Sequence, residues 1–430
     1  MQIIELIEAT GAKVLAEVDK DLDVKISTDT RTIQKGDFYL PLKGASFDGE
    51  KFINQAFEKG AIGAFCTGDN GTLQVKDTLT AYLQLANYRR KKLNFTVVAI
   101  TGSSGKTTTK ELAASVLSEK FRTFKTPLNH NNEIGFCQTI FEAPDDTEIL
   151  VLEMGMRGLG EIELLSKYAE PDITIISNVG TAHIGRLGSR ENIAKAKCEI
   201  VKYQRGNIFI AHDDELIKKT VQFSGKKIFY SIKDVKILEK DTHYSKFEYY
   251  GNIYELNVGG DYNIENALSA INTGLALRMK VNEIQSGLKK YAPIEKRWEA
   301  VNAGGFEIIN DSYNANPESM RAFIDTIFEL YEKPVVILGD MGELGEDEIK
   351  YHSELGKYIN SHKNLRQDAE ILSIRKLSKY ITDGVTNCPA KHFETIEQAV
   401  DYIKNKDTKV QLFLKASRSM KFERIIEELK

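Results

Sequence analysis

The sequence predicts an α/β protein of three domains, and three observations carry that expectation. From about residue 81 onward, apolar strand-like runs alternate with amphipathic helical stretches, the pattern that yields mainly parallel sheets. One run, Val97-Val-Ala-Ile100, enters a glycine-rich turn, Thr101-Gly-Ser-Ser-Gly-Lys-Thr-Thr-Thr109, that opens onto a helix. The length, 430 residues, exceeds one ordinary core and fits about three domains.

Residues 1–80 read as a small α/β unit of short strands and turns, such as Lys25-Ile-Ser-Thr-Asp-Thr-Arg31 and Gly36-Asp-Phe-Tyr-Leu-Pro-Leu42. Residues 81–296 form the second domain, with strands expected at Phe95 to Ile100, Ile149 to Leu152, Ile173 to Ser177 and Asn207 to Ile210. The stretch Lys226 to Val258 alternates more finely, as in Phe247-Glu-Tyr-Tyr-Gly-Asn-Ile-Tyr254, and is expected to add antiparallel strands. A helix from Asn263 through Leu277 precedes a break at Tyr291-Ala-Pro-Ile-Glu-Lys-Arg-Trp298. Residues 297–430 then supply a second doubly wound sheet from Phe306 to Asn310, Val335 to Leu338 and Val410 to Leu414, closed by a terminal helix after Ser417. Ligands of such sheets gather at the carboxyl ends of strands, so the residues just after each run are the candidates for chemistry.

Composition narrows the class. Apolar residues make up 42% and charged residues 28%, as in a soluble globular protein. The acidic N-terminus lacks a signal-peptide pattern and no run approaches a membrane span, so a cytoplasmic location without membrane insertion is expected; a monomer is the default expectation, with oligomeric state not legible in the sequence. A net charge of -4 supplies no basic field for nucleic acid. Cys66, Cys137, Cys198 and Cys388 have neither metal-type nor redox-type spacing and read as reduced thiols.

The turn at Gly102, Ser103, Ser104 and Gly105 suits a polyphosphate, because backbone N–H groups and the positive helix end face an anion together. Lys106 adds a point charge at the β and γ oxygens, and Thr107 a hydroxyl for Mg²⁺. The turn is short: two residues separate its glycines, where the common motif has four. Glu153, at the end of a neighbouring run, stands where a P-loop protein places a Mg²⁺ ligand, and His183 follows a third strand end on the same side. Taken alone, His183 reads more readily as a loop histidine and only its place after a third strand end makes metal contact an even alternative; Lys197 reads foremost as a solvated helical lysine, and Asn129, Asn131 and Asn132 as turn residues that can also donate to phosphate. Arg297 is a cation at a hinge. Asp311 and Tyr313 offer a carboxylate and a ring, in a segment that also reads as an Asx turn before a proline-started helix.

Collected in order, these segments resemble the Mur ligase family, and within it the branch that adds D-alanyl-D-alanine to UDP-N-acetylmuramoyl-tripeptide. The resemblance spans essentially the whole chain. It rests on Thr28-Asp-Thr-Arg31, Leu42-Lys-Gly-Ala-Ser-Phe-Asp-Gly49, the phosphate turn, Asn129-His-Asn-Asn-Glu-Ile-Gly135, Glu153-Met-Gly155 and Ala194-Lys-Ala-Lys-Cys-Glu199. Asn310-Asp-Ser-Tyr-Asn-Ala-Asn-Pro317, Leu338-Gly-Asp-Met-Gly-Glu-Leu-Gly345 and Lys415-Ala-Ser-Arg418 are its most specific parts. The short turn is the normal form in this family. Ala416 stands where glycine is common.

The resemblance implies a UDP-sugar-binding first domain, a central P-loop ATPase-like domain and a C-terminal Rossmann-like domain. It implies ATP-dependent amide formation through an acyl phosphate, with ATP and two Mg²⁺ ions. Lys106, Glu153, His183 and Lys197 would be catalytic, with Thr107, Glu153, His183 and a carbamylated Lys197 on metal. The phosphate turn, with Thr108, Asn132, Asn266, Arg297, Asp311 and Tyr313, would hold the nucleotide. Thr28, Asp29, Thr30, Arg31, Lys43, Gly44, Phe47, Asp48, Asn314, Ser417 and Arg418 would hold the other substrates. Carbamylation needs a neutral amine, and at pH 7 only about one ordinary lysine in 2,500 is neutral, so the resemblance also demands a depressed pKa at Lys197. Substrates shared among domains imply closure about linkers near residues 80 and 297. Two ligase alternatives stand beside this reading, the third-residue-adding Mur enzyme and a folylpolyglutamate synthase. The former's Asp-Asn-Pro-Arg loop is absent. A P-loop regulatory ATPase is the alternative from another class.

Overall fold

The computed structural model describes residues 1–44, 47–127 and 130–430. It divides into two compact units: Met1–Phe95 with Thr126–Glu148 and Lys167–Ala169, and Thr96–Lys125 with Ile149–Ser166 and Glu170–Lys430.

The first unit holds β1 (Lys13–Val14), β2 (Ile26–Ser27), β3 (Phe38–Tyr39), β4 (Gly63–Cys66) and β5 (Leu73–Gln74), in the order β1-β5-β4-β3-β2. Strands β2 to β5 pair in parallel and β1 closes the edge antiparallel. Phe38 meets Phe65 edge to face at 5.3 Å, and Tyr39, Ile53, Ala56 and Ala64 fill the core beneath them. The helix Thr78–Leu93 follows, started by the Asp77 side chain on the Thr80 amide and stopped by Asn94 in the left-handed region.

In the second unit, β6 (Thr96–Thr101), β7 (Thr123–Lys125), β8 (Ile149–Glu153), β9 (Ile173–Ile176), β10 (Ile208–His212) and β11 (Lys226–Tyr230) form a wholly parallel sheet in the order β11-β10-β9-β6-β8-β7. Strands β8 and β9 are buried throughout, as expected of a parallel sheet covered on both faces. This explains why their sequences read as unbroken apolar runs. The helices Lys106–Leu117, Asp261–Ala276 and Val281–Lys290 stack through Leu112, Val116, Ile264, Ala267, Ile271 and Ile284, all fully buried. Strand β6 lies between β8 and β9, so the chain order reverses at the phosphate turn.

The expected antiparallel addition is partly corrected. Lys226–Tyr230 is the parallel edge strand β11, and only β12 (Lys236–Lys240), β13 (Ser245–Tyr249) and β14 (Asn252–Leu256) form the antiparallel meander. Alternation reports which face is buried, not which way a partner runs.

The last sheet comprises β15 (Glu299–Ala303), β16 (Phe306–Asn310), β17 (Val335–Gly339), β18 (Glu370–Ile374), β19 (Ala390–Phe393) and β20 (Leu412–Lys415), ordered β15-β16-β20-β17-β18-β19. It is parallel except for β15, which returns antiparallel along β16. Because β20 inserts between β16 and β17, the segments after all three strands share one end of the sheet. The terminal helix runs Glu423–Leu429.

Candidate active site

Strand β6 ends at Thr101 and the turn begins. Gly102 approaches β9 so closely that a Cβ there would lie 1.8 Å from the Ser177 hydroxyl. Gly105 has φ +75° and a Cβ on it would lie 2.4 Å from Asn266 Oδ1. Both glycines are therefore demanded by neighbours as well as by the turn.

The amides of Ser103 and Ser104 donate to Asn178 Oδ1 at 3.2 and 3.0 Å. They shape the turn from behind. The amides of Lys106, Thr107 and Thr108 open the helix, where first-turn donors lack an intrahelical partner, and can turn to a phosphate. Lys106 Nζ meanwhile donates to the Gly102 carbonyl at 2.8 Å, a bond that a phosphate oxygen can replace. Burial lowers its pKa; Glu153 and Glu343 oppose that shift, and Arg297 adds to it.

Glu153 ends β8 and is 5% exposed. Lys110, one helical turn beyond Lys106 and itself 1% exposed, places its ammonium 3.8 Å from Glu153 Oε2 and 3.2 Å from Glu111 Oε1. Thr107 is buried at the same helix start. Lys197, on the helix Arg190–Cys198, is buried as completely as any core residue. Burial first, and then the like charge of Lys106, hold its pKa well below the lysine range. That is the condition the resemblance demanded.

His183 starts the short helix Ile184–Leu187 with φ 67°, and its Nδ1 lies 2.6 Å from Glu343 Oε2 in the turn after β17. The histidine contact is the main reason the Glu343 carboxyl is held below its usual range. The same segment makes two further contacts: Thr181 Oγ1 donates to Glu318 at 2.8 Å, and the Gly185 amide to the Glu343 carbonyl. The two large sheets are thus joined beside the phosphate turn.

Asn266, on the helix Asp261–Ala276, accepts from Thr109 Oγ1 at 3.2 Å. At the hinge, Lys296 and Trp298 both adopt positive φ, which aims Arg297 across the Tyr313 ring at 4.0 Å. Arg297 Nε is buried and has no hydrogen-bond partner among the described residues. Trp298 fixes this hinge by donating from its amide to Asp311 and from its indole to the Thr242 carbonyl. Asp311 also pairs with the buried Lys415. Asn314 bonds the next amide, Ala315. Ser417 Oγ accepts from Gly342 N at 2.8 Å, and Arg418 pairs with Glu423.

The first-unit candidates form their own network. Asp29 and Arg31 pair directly, Thr30 donates to Gln55, and Thr28 leads into that turn. Lys43 lies 3.6 Å from Asp48, the Gly44 amide bonds the Phe47 carbonyl, and Phe47, 54% exposed, stacks on Phe52. Asn132 caps the helix Glu133–Glu142 through its Oδ1 in this unit. Asn129 lies outside the described residues.

Four contributors escaped the sequence reading: Asn178, Lys110, Glu343 and Lys415. Each lay inside or beside a quoted segment. Their signal was position just past a strand or one turn beyond Lys106.

Residues 100–274 match the Mur ligase middle domain, and residues 296–418 match the Mur ligase glutamate ligase domain. The UDP-N-acetylmuramoyl-tripeptide--D-alanyl-D-alanine ligase of Bacillus subtilis is 36% identical, covering 94% of this chain and 92% of the relative. The chain belongs to the Mur ligase family. The Escherichia coli ligase of the same name is 28% identical over 96% of this chain and 95% of its own. Among solved structures, MurF from Acinetobacter baumannii aligns with a TM-score of 0.90 at 28% identity, covering 100% of this chain and 98% of that one. MurF ligase from Thermotoga maritima in complex with ADP aligns at 0.84 and 27% identity, covering 96% and 98%. The three-domain Mur ligase architecture expected from the sequence is the architecture of these neighbours.

Proposed function

We propose that this chain joins D-alanyl-D-alanine to the terminal carboxylate of UDP-N-acetylmuramoyl-tripeptide at the expense of ATP, acting as a monomer in the cytoplasm to supply peptidoglycan precursor. The gathering of Glu153, Lys197, Arg297 and Glu343 around Lys106 carries this reading. On this reading Lys106 serves phosphate while Glu153, Lys197 and Arg297 support the transfer to the acyl group.

A carboxylate is a poor electrophile. Its oxygen therefore attacks the γ-phosphorus, the bond to the β-phosphate oxygen breaks, and ADP leaves an acyl phosphate. The dipeptide amine attacks the acyl carbon, loses a proton, and the tetrahedral intermediate expels inorganic phosphate. Negative charge builds in both steps, where Lys106, the first-turn amides and Arg297 neutralise it without reorganising. Tyr313 holds the Arg297 guanidinium flat, leaving its buried Nε to seek an acceptor.

The residues present fit Mg²⁺. Thr107 supplies a hydroxyl and Glu153 a buried carboxylate, hard oxygen donors of the type Mg²⁺ takes alongside phosphates and water. With the Glu343 carboxylate beside Nδ1, His183 would offer Nε2 to a metal ion. A neutral Lys197 can attack CO₂, lose a proton and become a carbamate oxygen ligand. When bound, Mg²⁺ would offset charge on the transferring phosphoryl group.

Phosphate release tests the proposal. It is expected only when ATP, UDP-tripeptide and D-alanyl-D-alanine are all present. Turnover without the dipeptide would point to the regulatory ATPase, and turnover with glutamate in its place to a folylpolyglutamate-type ligase.

A further inference from the structure

The phosphate turn is two residues shorter than the common motif, and its shape comes from elsewhere. Asn178, the second residue after β9, spends its whole amide on it. Oδ1 accepts from the Ser103 and Ser104 amides at 3.2 and 3.0 Å, and Nδ2 donates to Ser104 Oγ at 2.8 Å and to the Ser104 carbonyl at 3.3 Å. The Ser103 amide also reaches the Asn178 carbonyl at 3.1 Å, and Ser177 Oγ donates to the Ser104 carbonyl at 2.6 Å. Gly180 completes the strap by donating to Ser103 Oγ at 2.9 Å.

We propose that Asn178 is a positioning residue that holds the shortened turn in its phosphate-binding shape before nucleotide arrives. A longer loop can circle a phosphate with its own amides. This one has two residues between its glycines, and both have amides committed to Asn178, so the anion docks where the turn meets the helix, at Gly105 to Thr108. The carboxamide suits the task because it accepts and donates at once; a carboxylate cannot donate, and a serine has one oxygen where two atoms are used. Fixing the turn beforehand removes an ordering cost from nucleotide binding. The same strap continues to Thr181 and its bond to Glu318, so the turn and the C-terminal sheet share one support.

This inference rests on the nucleotide site proposed above, and the experiment separates the two. ADP binding to the full chain is measured by calorimetry for Asn178→Ala, Asn178→Asp and Lys106→Ala, with steady-state constants for each substrate and melting without ligand. Asn178→Ala is expected to weaken ADP at least tenfold, about 1.4 kcal/mol, and to raise the KM for ATP similarly. The KM values for UDP-tripeptide and dipeptide should stay within about twofold. Asn178→Asp keeps an Oδ acceptor for the Ser103 and Ser104 amides at near-identical size and loses the Nδ2 donor, so it carries the test if the alanine variant does not fold. Its added negative charge and lost donors are expected to weaken ADP further than alanine does. Unchanged ADP affinity in the Asn178 variants, with Lys106→Ala losing it, overturns the proposal and leaves the site reading intact. A fall in melting temperature with all substrate constants shifted alike also overturns it. Unchanged ADP affinity in all three variants overturns the site reading itself.

Discussion

Lys197 is the residue whose meaning changes most between chain and fold. In sequence it is one of many helical lysines; in the structure it is buried beside Lys106, and its amine is held well below the ordinary range. The unfolded chain binds this proton more readily than the folded one, so the group opposes folding at neutral pH and ceases to do so as pH rises toward the ordinary lysine value. Lys197→Met is therefore expected to raise the melting temperature at pH 7, with the gain shrinking toward pH 10, while ligation is lost. A melting difference independent of pH would show that the lysine is charged in the folded state. Asp311 presents the opposite case. Its carboxylate pairs with Lys415, whose side chain is 4% exposed, so Asp311→Ala would leave a buried ammonium without its countercharge. The expected loss, read by urea unfolding, is about 3–5 kcal/mol. A loss below about 1 kcal/mol would mean that the neighbouring carbonyls of Asn314 and Asp311 suffice.

At the scale of elements, the glycine-rich turn is shaped by a strand, a turn and a helix that are each locally encoded and then clamped by their neighbours. Gly105 shows both influences, through φ +75° and through the proximity of Asn266. Gly105→Ala is expected to cost about 1–2 kcal/mol in backbone strain and to lose ADP binding, with calorimetry and thermal melting as the two measurements. Normal ADP affinity would show that the turn tolerates a shifted helix start. The strands of the parallel sheet were legible because both faces are covered, so their composition is apolar without interruption. The two-residue strands β1 and β5 were not, since so short a segment carries no periodicity and owes its conformation to its partner. The parallel pairing of β11 was hidden because alternation reports the buried face and not the direction of the neighbouring strand.

At the scale of the molecule, the segment Thr181 to Gly185 joins the two large sheets through Glu318 and Glu343. Arg297, on the C-terminal side, lies within electrostatic reach of Lys106. The double variant Glu318→Ala, Glu343→Ala is expected to raise the KM for UDP-tripeptide about tenfold or more and, if ligands close the domains, to weaken the compaction expected in X-ray scattering on adding an ATP analogue plus UDP-tripeptide. Scattering curves that do not change with those ligands, in the parent chain, would count against closure altogether. The chain alone determined the α/β class, the order of its sheets along the sequence, the phosphate turn, and the carboxylate and histidine that follow neighbouring strands, because strand, turn and helix signals are local. Only the tertiary structure decided that Asn178 shapes that turn, that Lys110 accompanies Glu153, that Glu343 meets His183 and that Lys197 is dry. Burial and opposite charge are properties of neighbours brought together from distant positions, and a shifted pKa or a long-range hydrogen bond exists only after that assembly.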